Sequence, residues 1–160
     1  MTLMAVVREF LDGEQIVATD ANQPDTVFFR FEGEQLTWQC FVDVREDLHQ
    51  VLVYSVYPDK VPTLRRLNAA EYLTRINYGL PVGNFEMDLT DGEVRFKASL
   101  DCSGDRLSVA LMRQLIRASA TLTDRFAEGL RLVAEQAVSP IEAVRITEGR
   151  DPHPQAVDQP

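Results

Sequence analysis

Residues 75–101, RINYGLPVGNFEMDLTDGEVRFKASLD, decide the fold. Asp91-Gly92 separates two alternating runs, and Asp-Gly tolerates the positive φ of a type I′ turn, whose twist matches paired strands. A two-residue loop predicts a register: Thr90 opposite Glu93, Leu89 opposite Val94, Asp88 opposite Arg95, Met87 opposite Phe96, Glu86 opposite Lys97 and Phe85 opposite Ala98. Phe85, Met87, Leu89, Val94, Phe96 and Ala98 then share one face, and the other face holds the charge pairs Asp88–Arg95 and Glu86–Lys97. A slip of one residue would bury those charges, which specifies the face. The charges read either as a docking surface or, more simply, as a solvated face with weak pairs.

Upstream, Pro62 suits the first turn of a helix. Leu64, Leu67, Ala70, Leu73, Ile76 and Leu80 recur at spacings of three and four and predict its apolar face. Gly79 and Pro81 stop it. Asn77, in the last turn, is expected to bond local backbone.

Working outward, MTLMAVVREFLDG reads as a short amphipathic helix ending before Gly13. Its apolar run is too short for a signal sequence. Three strand patterns follow: Val27, Phe29 and Phe31 alternate with Phe28, Arg30 and Glu32. Leu36, Trp38, Cys40, Val42 and Val44 alternate with Thr37, Gln39, Phe41, Asp43 and Arg45. Residues 50–57 are apolar on both faces, as a central strand would be. A weaker strand is predicted over residues 15–19. Ser108 is a plausible N-cap for a long helix. Leu111, Leu115, Ala118, Leu122, Phe126, Leu130 and Val133 form its stripe, widened by Met112, Ile116 and Ser119, and Pro140 stops it. The stripe serves the core, with width enough for a partner. From about residue 147 the chain is polar, holds three of the eight prolines and is expected to be disordered.

The middle of the chain resembles the YbjN family, described as "putative bacterial sensory transduction regulators". The matching residues are Arg75-Ile76-Asn77-Tyr78-Gly79, Gly83-Asn84-Phe85-Glu86-Met87-Asp88, Asp91-Gly92-Glu93-Val94-Arg95-Phe96 and Ser99-Leu100-Asp101. Upstream, Val51-Leu52-Val53-Tyr54-Ser55-Val56 and Val61-Pro62 also match. The resemblance implies a fold similar to type III secretion chaperones, ordered α-β-β-β-α-β-β-α and often dimeric. It carries no catalytic residues. The fold class expected is therefore α+β, an antiparallel sheet with helices packed on one face. A single YbjN-like domain is placed at residues 1–137 and a C-terminal extension at 138–160.

A chain of 160 residues is one domain's length, with 45% hydrophobic and 26% charged residues as in ordinary globular proteins. The net charge of −9, from 25 acids and 16 bases, argues against nucleic acid and against anionic membrane as partners. No stretch approaches the roughly 20 apolar residues of a membrane span, so a cytoplasmic protein is expected. Cys40 and Cys102 lie in no C-x-x-C motif and read as reduced cytosolic thiols. With His49 and His153 alone, no metal or cofactor is expected. Phosphate loops and G-x-S-x-G are absent. His49 could serve as a base only if Ser55 or Cys40 approached it. No catalytic residue is therefore assigned, and the protein is read as a non-enzyme.

Phe28, Phe41 and Tyr54 occupy the alternate faces of the first three strands. Aromatics on an otherwise polar face are enriched at interfaces. They are the candidate partner-binding residues of a homodimeric adaptor or chaperone-like regulator that holds an unidentified protein or peptide. The alternative is a small-molecule sensor with a closed apolar pocket between sheet and final helix.

Overall fold

In the computed structural model of the protein, which describes residues 1–149, helix α1 (Leu3–Gly13) starts on two caps. Thr2 Oγ1 accepts from the N–H of Ala5, and the carboxylate of Glu46, from a distant turn, accepts from Leu3 and Met4. Together they satisfy first-turn donors that a helix cannot pair itself. The strands are β1 (Thr19–Asp20), β2 (Thr26–Glu32), β3 (Thr37–Arg45), β4 (Gln50–Val56), β5 (Asn84–Met87) and β6 (Val94–Asp101). They form one antiparallel sheet in the order β1-β2-β3-β4-β6-β5. Helix α2 (Arg66–Asn77) precedes β5, and α3 (Val109–Glu135) and α4 (Pro140–Glu148) follow β6. The predicted strand over 15–19 is reduced to the two residues of β1.

Side chains alternate, and the register sorts them cleanly. Val27, Phe29, Cys40, Val42, Val44, Val51, Val53, Ser55, Phe85, Val94, Phe96 and Ala98 share the inner face and are buried. Helix α3 packs on β4 and β6 with α1 and α2 against it, so the helices cover that one face. At its centre a polar contact replaces an apolar one: Ser55 Oγ and Ser119 Oγ lie 2.8 Å apart and fully buried.

The hairpin register differs from the two-residue-loop expectation by two. Phe85 faces Phe96, Glu86 faces Arg95 and Met87 faces Val94. The loop is four residues, 89–92, closed by the Asp88 N–H donating to the Glu93 carbonyl (2.9 Å) and the Gly92 N–H to the Asp88 carbonyl (2.7 Å). Side chains hold it open: Asp88 accepts from the Thr90 N–H and Asp91 from the Glu93 N–H. The segment before α2 holds it too, because Lys60 pairs with Asp91 and Arg66 donates to the carbonyls of Leu89 and Thr90. Gly92 sits at φ +84, where a Cβ would meet the Val61 carbonyl at 2.2 Å. A shift of two keeps every residue on its predicted face. Of the residues expected on the inner face only Leu89 leaves the sheet, and it is exposed.

Two helix faces also differ. In α2 the buried stripe is Ala69, Tyr72, Leu73 and Ile76, whereas Leu64 and Leu67 are exposed. Residues 63–65 form a 3-10 turn, and a small Ala and a Tyr do the packing expected of leucines. Tyr72 is buried because its hydroxyl donates to the Phe126 carbonyl at 3.0 Å. In α3 the stripe centres on Met112, Leu115, Ile116, Ser119, Thr123 and Phe126, and Leu111 is exposed. Ser119 belongs to the expected stripe; the buried Thr123 is what an apolar template passes over.

After α3, Pro140 ends nothing: it is the first residue of α4, capped by Ser139 Oγ accepting from the Glu142 N–H. Helix α4 packs on α2 and α3. Thr147, where disorder was expected to begin, is buried near the end of this helix, its hydroxyl donating to the Ala143 carbonyl. Residues 150–160 of the expected tail, with His153 between two prolines, lie outside the described residues.

Gly129 lets α2, α3 and α4 meet: a Cβ there would lie 2.1 Å from the Tyr72 hydroxyl and 2.8 Å from Thr147 Cγ2. Gly129→Ala is therefore expected to destabilise the protein by about 1–3 kcal/mol. A lower urea midpoint at unchanged slope checks it.

Candidate protein-binding face

The outer face of the sheet follows from the same alternation. Phe28 is paired with Phe41, Phe41 with Tyr54, and Tyr54 with Lys97, so the three aromatics form one continuous row across β2, β3 and β4. They are half-buried. The Phe28 and Phe41 rings lie 5.6 Å apart. The Arg95 guanidinium sits 4.4 Å from the Tyr54 ring centroid. Beside the row is an open concavity of about 620 Å³, with Phe41, Tyr54 and Val56 on its floor and Asp43, Arg45, Glu93 and Arg95 around it.

One carboxylate organises the charged end of this face. Glu86 accepts from Arg95 at 3.0 Å and also pairs with Lys97. Partial burial works against its charged form, but the bonds from Lys97 and Arg95 outweigh that and hold its pKa below the usual carboxylate value. The sequence showed these three charges on one face. The predicted Asp88–Arg95 pair is not formed, because the register shift puts Arg95 opposite Glu86.

The two sheet edges are unequal. At β5, Asn77 does bond backbone, but as a clasp: its Nδ2 donates to the Phe85 carbonyl (2.9 Å) and its Oδ1 accepts from the Phe85 N–H (2.7 Å). The amide thus occupies the place of a neighbouring strand. At the other edge β1 covers only Val27 and Phe28, leaving residues 29–32 of β2 uncovered on that side. The hairpin leading out of this edge is held from α3, where Asp124 accepts from the Glu34 N–H (3.0 Å) and the Gln35 N–H (2.9 Å). No sequence signal connects Asp124 to residues 34 and 35.

Of the residues considered for chemistry, His49 is kept apart from the other two. Ser55 and Cys40 are neighbours on the inner face, and burial pushes the Cys40 thiol up to about 12. Cys102 is buried as a second free thiol, and burial raises its pKa too. His49 is exposed in the loop before β4, six residues or roughly 20 Å of extended chain from Ser55. Among the described residues no three His, Cys, Asp or Glu side chains are grouped to hold a metal. No described helix is long and apolar enough to cross a membrane. The space between sheet and α3 lined by Ser55, Leu73, Phe96, Phe126 and Leu130 measures about 10 Å³, too little for more than one water.

The family model described as "Putative bacterial sensory transduction regulator" matches residues 4–132, and the chain belongs to this YbjN family. No curated protein sequence matches it. Among solved structures it is similar to YbjN, "a putative transcription regulator from E. coli", at 14% identity and a TM-score of 0.57, covering 84% of this chain and 89% of that one. It is also similar to a chain of the ExsC–ExsE complex at 13% identity and a TM-score of 0.50, covering 84% and 98%. A chain of the HopA1–SchA chaperone–effector complex aligns at 13% identity and a TM-score of 0.46, covering 82% and 91%. The first two likenesses are of fold: an antiparallel sheet with helices on one face.

Two outcomes are expected of the edge and the charge cluster. Asn77→Ala removes both bonds of the clasp, which should cost about 1–3 kcal/mol, and hydrogen exchange should show faster loss of protection at the Phe85 amide. Glu86 has a lowered folded pKa, so its contribution is present above the ordinary carboxylate range and is lost as pH falls through the folded value. Urea titrations of wild type and Glu86→Gln should therefore differ at pH 7 and converge under acid.

Proposed function

We propose that this YbjN-family protein is a non-enzymatic, homodimeric adaptor or chaperone-like regulator of the cytoplasm that holds a segment of another protein on the outer face of its sheet. The observation that carries the reading is the row Phe28, Phe41 and Tyr54, half-buried on a face that the helices leave uncovered. An aromatic row bordered by ion pairs suits a partner surface of apolar anchors within a polar rim. Strand addition along residues 29–32 of β2 would extend the contact, since Asn77 already fills the β5 edge. With a net charge of −9, a neutral or basic segment is favoured.

The family description, a regulator, supports this reading, and so does the fold shared with a chain of the ExsC–ExsE complex, itself a protein–protein assembly. A sensor that encloses a small molecule is less well supported, because the space beneath α3 named above measures about 10 Å³.

The test is affinity capture of the tagged full chain from its own cell lysate, run in parallel with Phe28→Glu/Phe41→Glu. A near-stoichiometric protein retained by wild type should be lost from the double variant, with affinity weakened at least about tenfold, while far-UV circular dichroism and cooperative unfolding persist. Equal retention by both would remove the aromatic row from the function. Loss of the fold in the double variant would assign these rings to the core.

A further inference from the structure

The core does not fill the end of the sheet beside the β2–β3 hairpin. An open concavity of about 630 Å³ lies there, between the hairpin and α3. Its size is that of a small-molecule site. Small residues leave the room: Gly33 on the hairpin, Ala120 and Thr121 on α3. The floor is aromatic. Phe31 and Trp38, paired across β2 and β3, stack with ring centroids 5.4 Å apart and planes 20° from parallel. Trp38 is buried and Phe31 half-buried, so Phe31 is the ring that meets solvent and the indole backs it.

The lining is acidic. Glu32, Glu34 and Asp124 stand against one cation, Arg125, whose guanidinium already lies 5.0 Å from the Phe126 ring centroid. Asp124 is fixed by the Glu34 and Gln35 amides it accepts. A Cβ on Gly33 would lie 2.1 Å from Asp124 Oδ1 and 2.8 Å from Trp38 Cζ3, so hairpin, carboxylate and indole pack as one unit. Each Asp124 oxygen takes one of those N–H groups and keeps a second acceptor position. Surplus carboxylate beside an open ring face selects a cation. It repels phosphates and carboxylic acids, the more so on a chain of −9. The flat floor decides which cation. A guanidinium is planar, weakly hydrated, stacks on rings and donates in a fork that matches carboxylates, whereas an ammonium is a compact, strongly hydrated point charge.

We propose that this concavity binds a small organic guanidinium, its plane over Phe31 and its N–H groups on Asp124 and Glu34, with Glu32 adding negative charge. The site lies on the opposite face of the sheet from Phe28, Phe41 and Tyr54. It is therefore independent of the protein-binding reading, and it is not the closed space beneath α3.

Trp38 is the sole tryptophan and reports from the floor. Its fluorescence is followed as butylguanidinium chloride is titrated into the full chain at constant ionic strength. Isothermal titration calorimetry runs in parallel, so that a silent indole does not hide binding. Saturation is expected with a midpoint of about 1 mM or below, the range open to a ligand of roughly eight heavy atoms. Butylammonium should bind at least about fivefold more weakly, and neutral butylurea should not saturate. Glu32→Gln/Glu34→Gln changes two exposed side chains and leaves Asp124 in place. It should weaken binding at least about tenfold at an unchanged urea midpoint. Phe31→Leu, which removes the ring and keeps an apolar side chain, should weaken it about threefold. No saturation by either method below about 20 mM would overturn the site. So would equal binding of butylurea or butylammonium, or full affinity in the Glu32→Gln/Glu34→Gln protein.

Discussion

A sheet of six antiparallel strands has one face that must leave water, and helix α3 lies across it. Twenty-seven residues make a rod of about 40 Å, longer than any strand of the sheet. The excess length has a use. The first part of α3 packs on the sheet, with Ser119 bonded to Ser55 on the central strand. Asp124 then reaches the β2–β3 hairpin amides, and the Phe126 carbonyl receives Tyr72 from α2. At Gly129 the same helix closes on Tyr72 of α2 and Thr147 of α4. One helix thus ties the sheet, the β2–β3 hairpin and α2 together by polar contacts and meets α4 at a glycine.

What the sequence made legible was parity; distance was hidden. The assignment of Phe28, Phe41 and Tyr54 to the outer face, and of Val27, Cys40 and Val53 to the inner, needs only strict alternation, which survives a register error of an even number of residues. The hairpin register did carry such an error. Asp-Gly favours a two-residue turn, but Lys60 and Arg66 hold a four-residue loop from a segment distant in sequence. The stripe of α2 failed for a related reason. Leu64 and Leu67 satisfy helical spacing as well as Ala69 and Tyr72 do, and only the position of α3 decides between them. Helix α4 was hidden because Ser139-Pro140 reads equally as an end and as a beginning. Asp124 belongs to the same class: its partners lie 89 and 90 residues away.

Residue types that could do chemistry are spent on structure. The strongest nucleophile, Cys40, is buried with its pKa raised to about 12, so its thiolate is scarce at neutral pH. Ser55 is tied to Ser119 within the core, and His49 lies in an exposed loop, its carbonyl accepting from the Cys102 N–H. The outward surfaces carry aromatic rings, a guanidinium over Tyr54 and a carboxylate shared by Arg95 and Lys97. Such groups suit recognition by contact, the role proposed above. Their placement on rigid strands fixes them without a cost in side-chain ordering as large as a loop would demand.

The homodimer proposed above would present two sheet faces, each with its own row of rings and its own uncovered edge at β2. A partner with two suitable segments would engage the second face at the high effective concentration set by the first. Neither face need then be strong. That fits rows of half-buried rings in a shallow concavity better than it fits a deep single pocket.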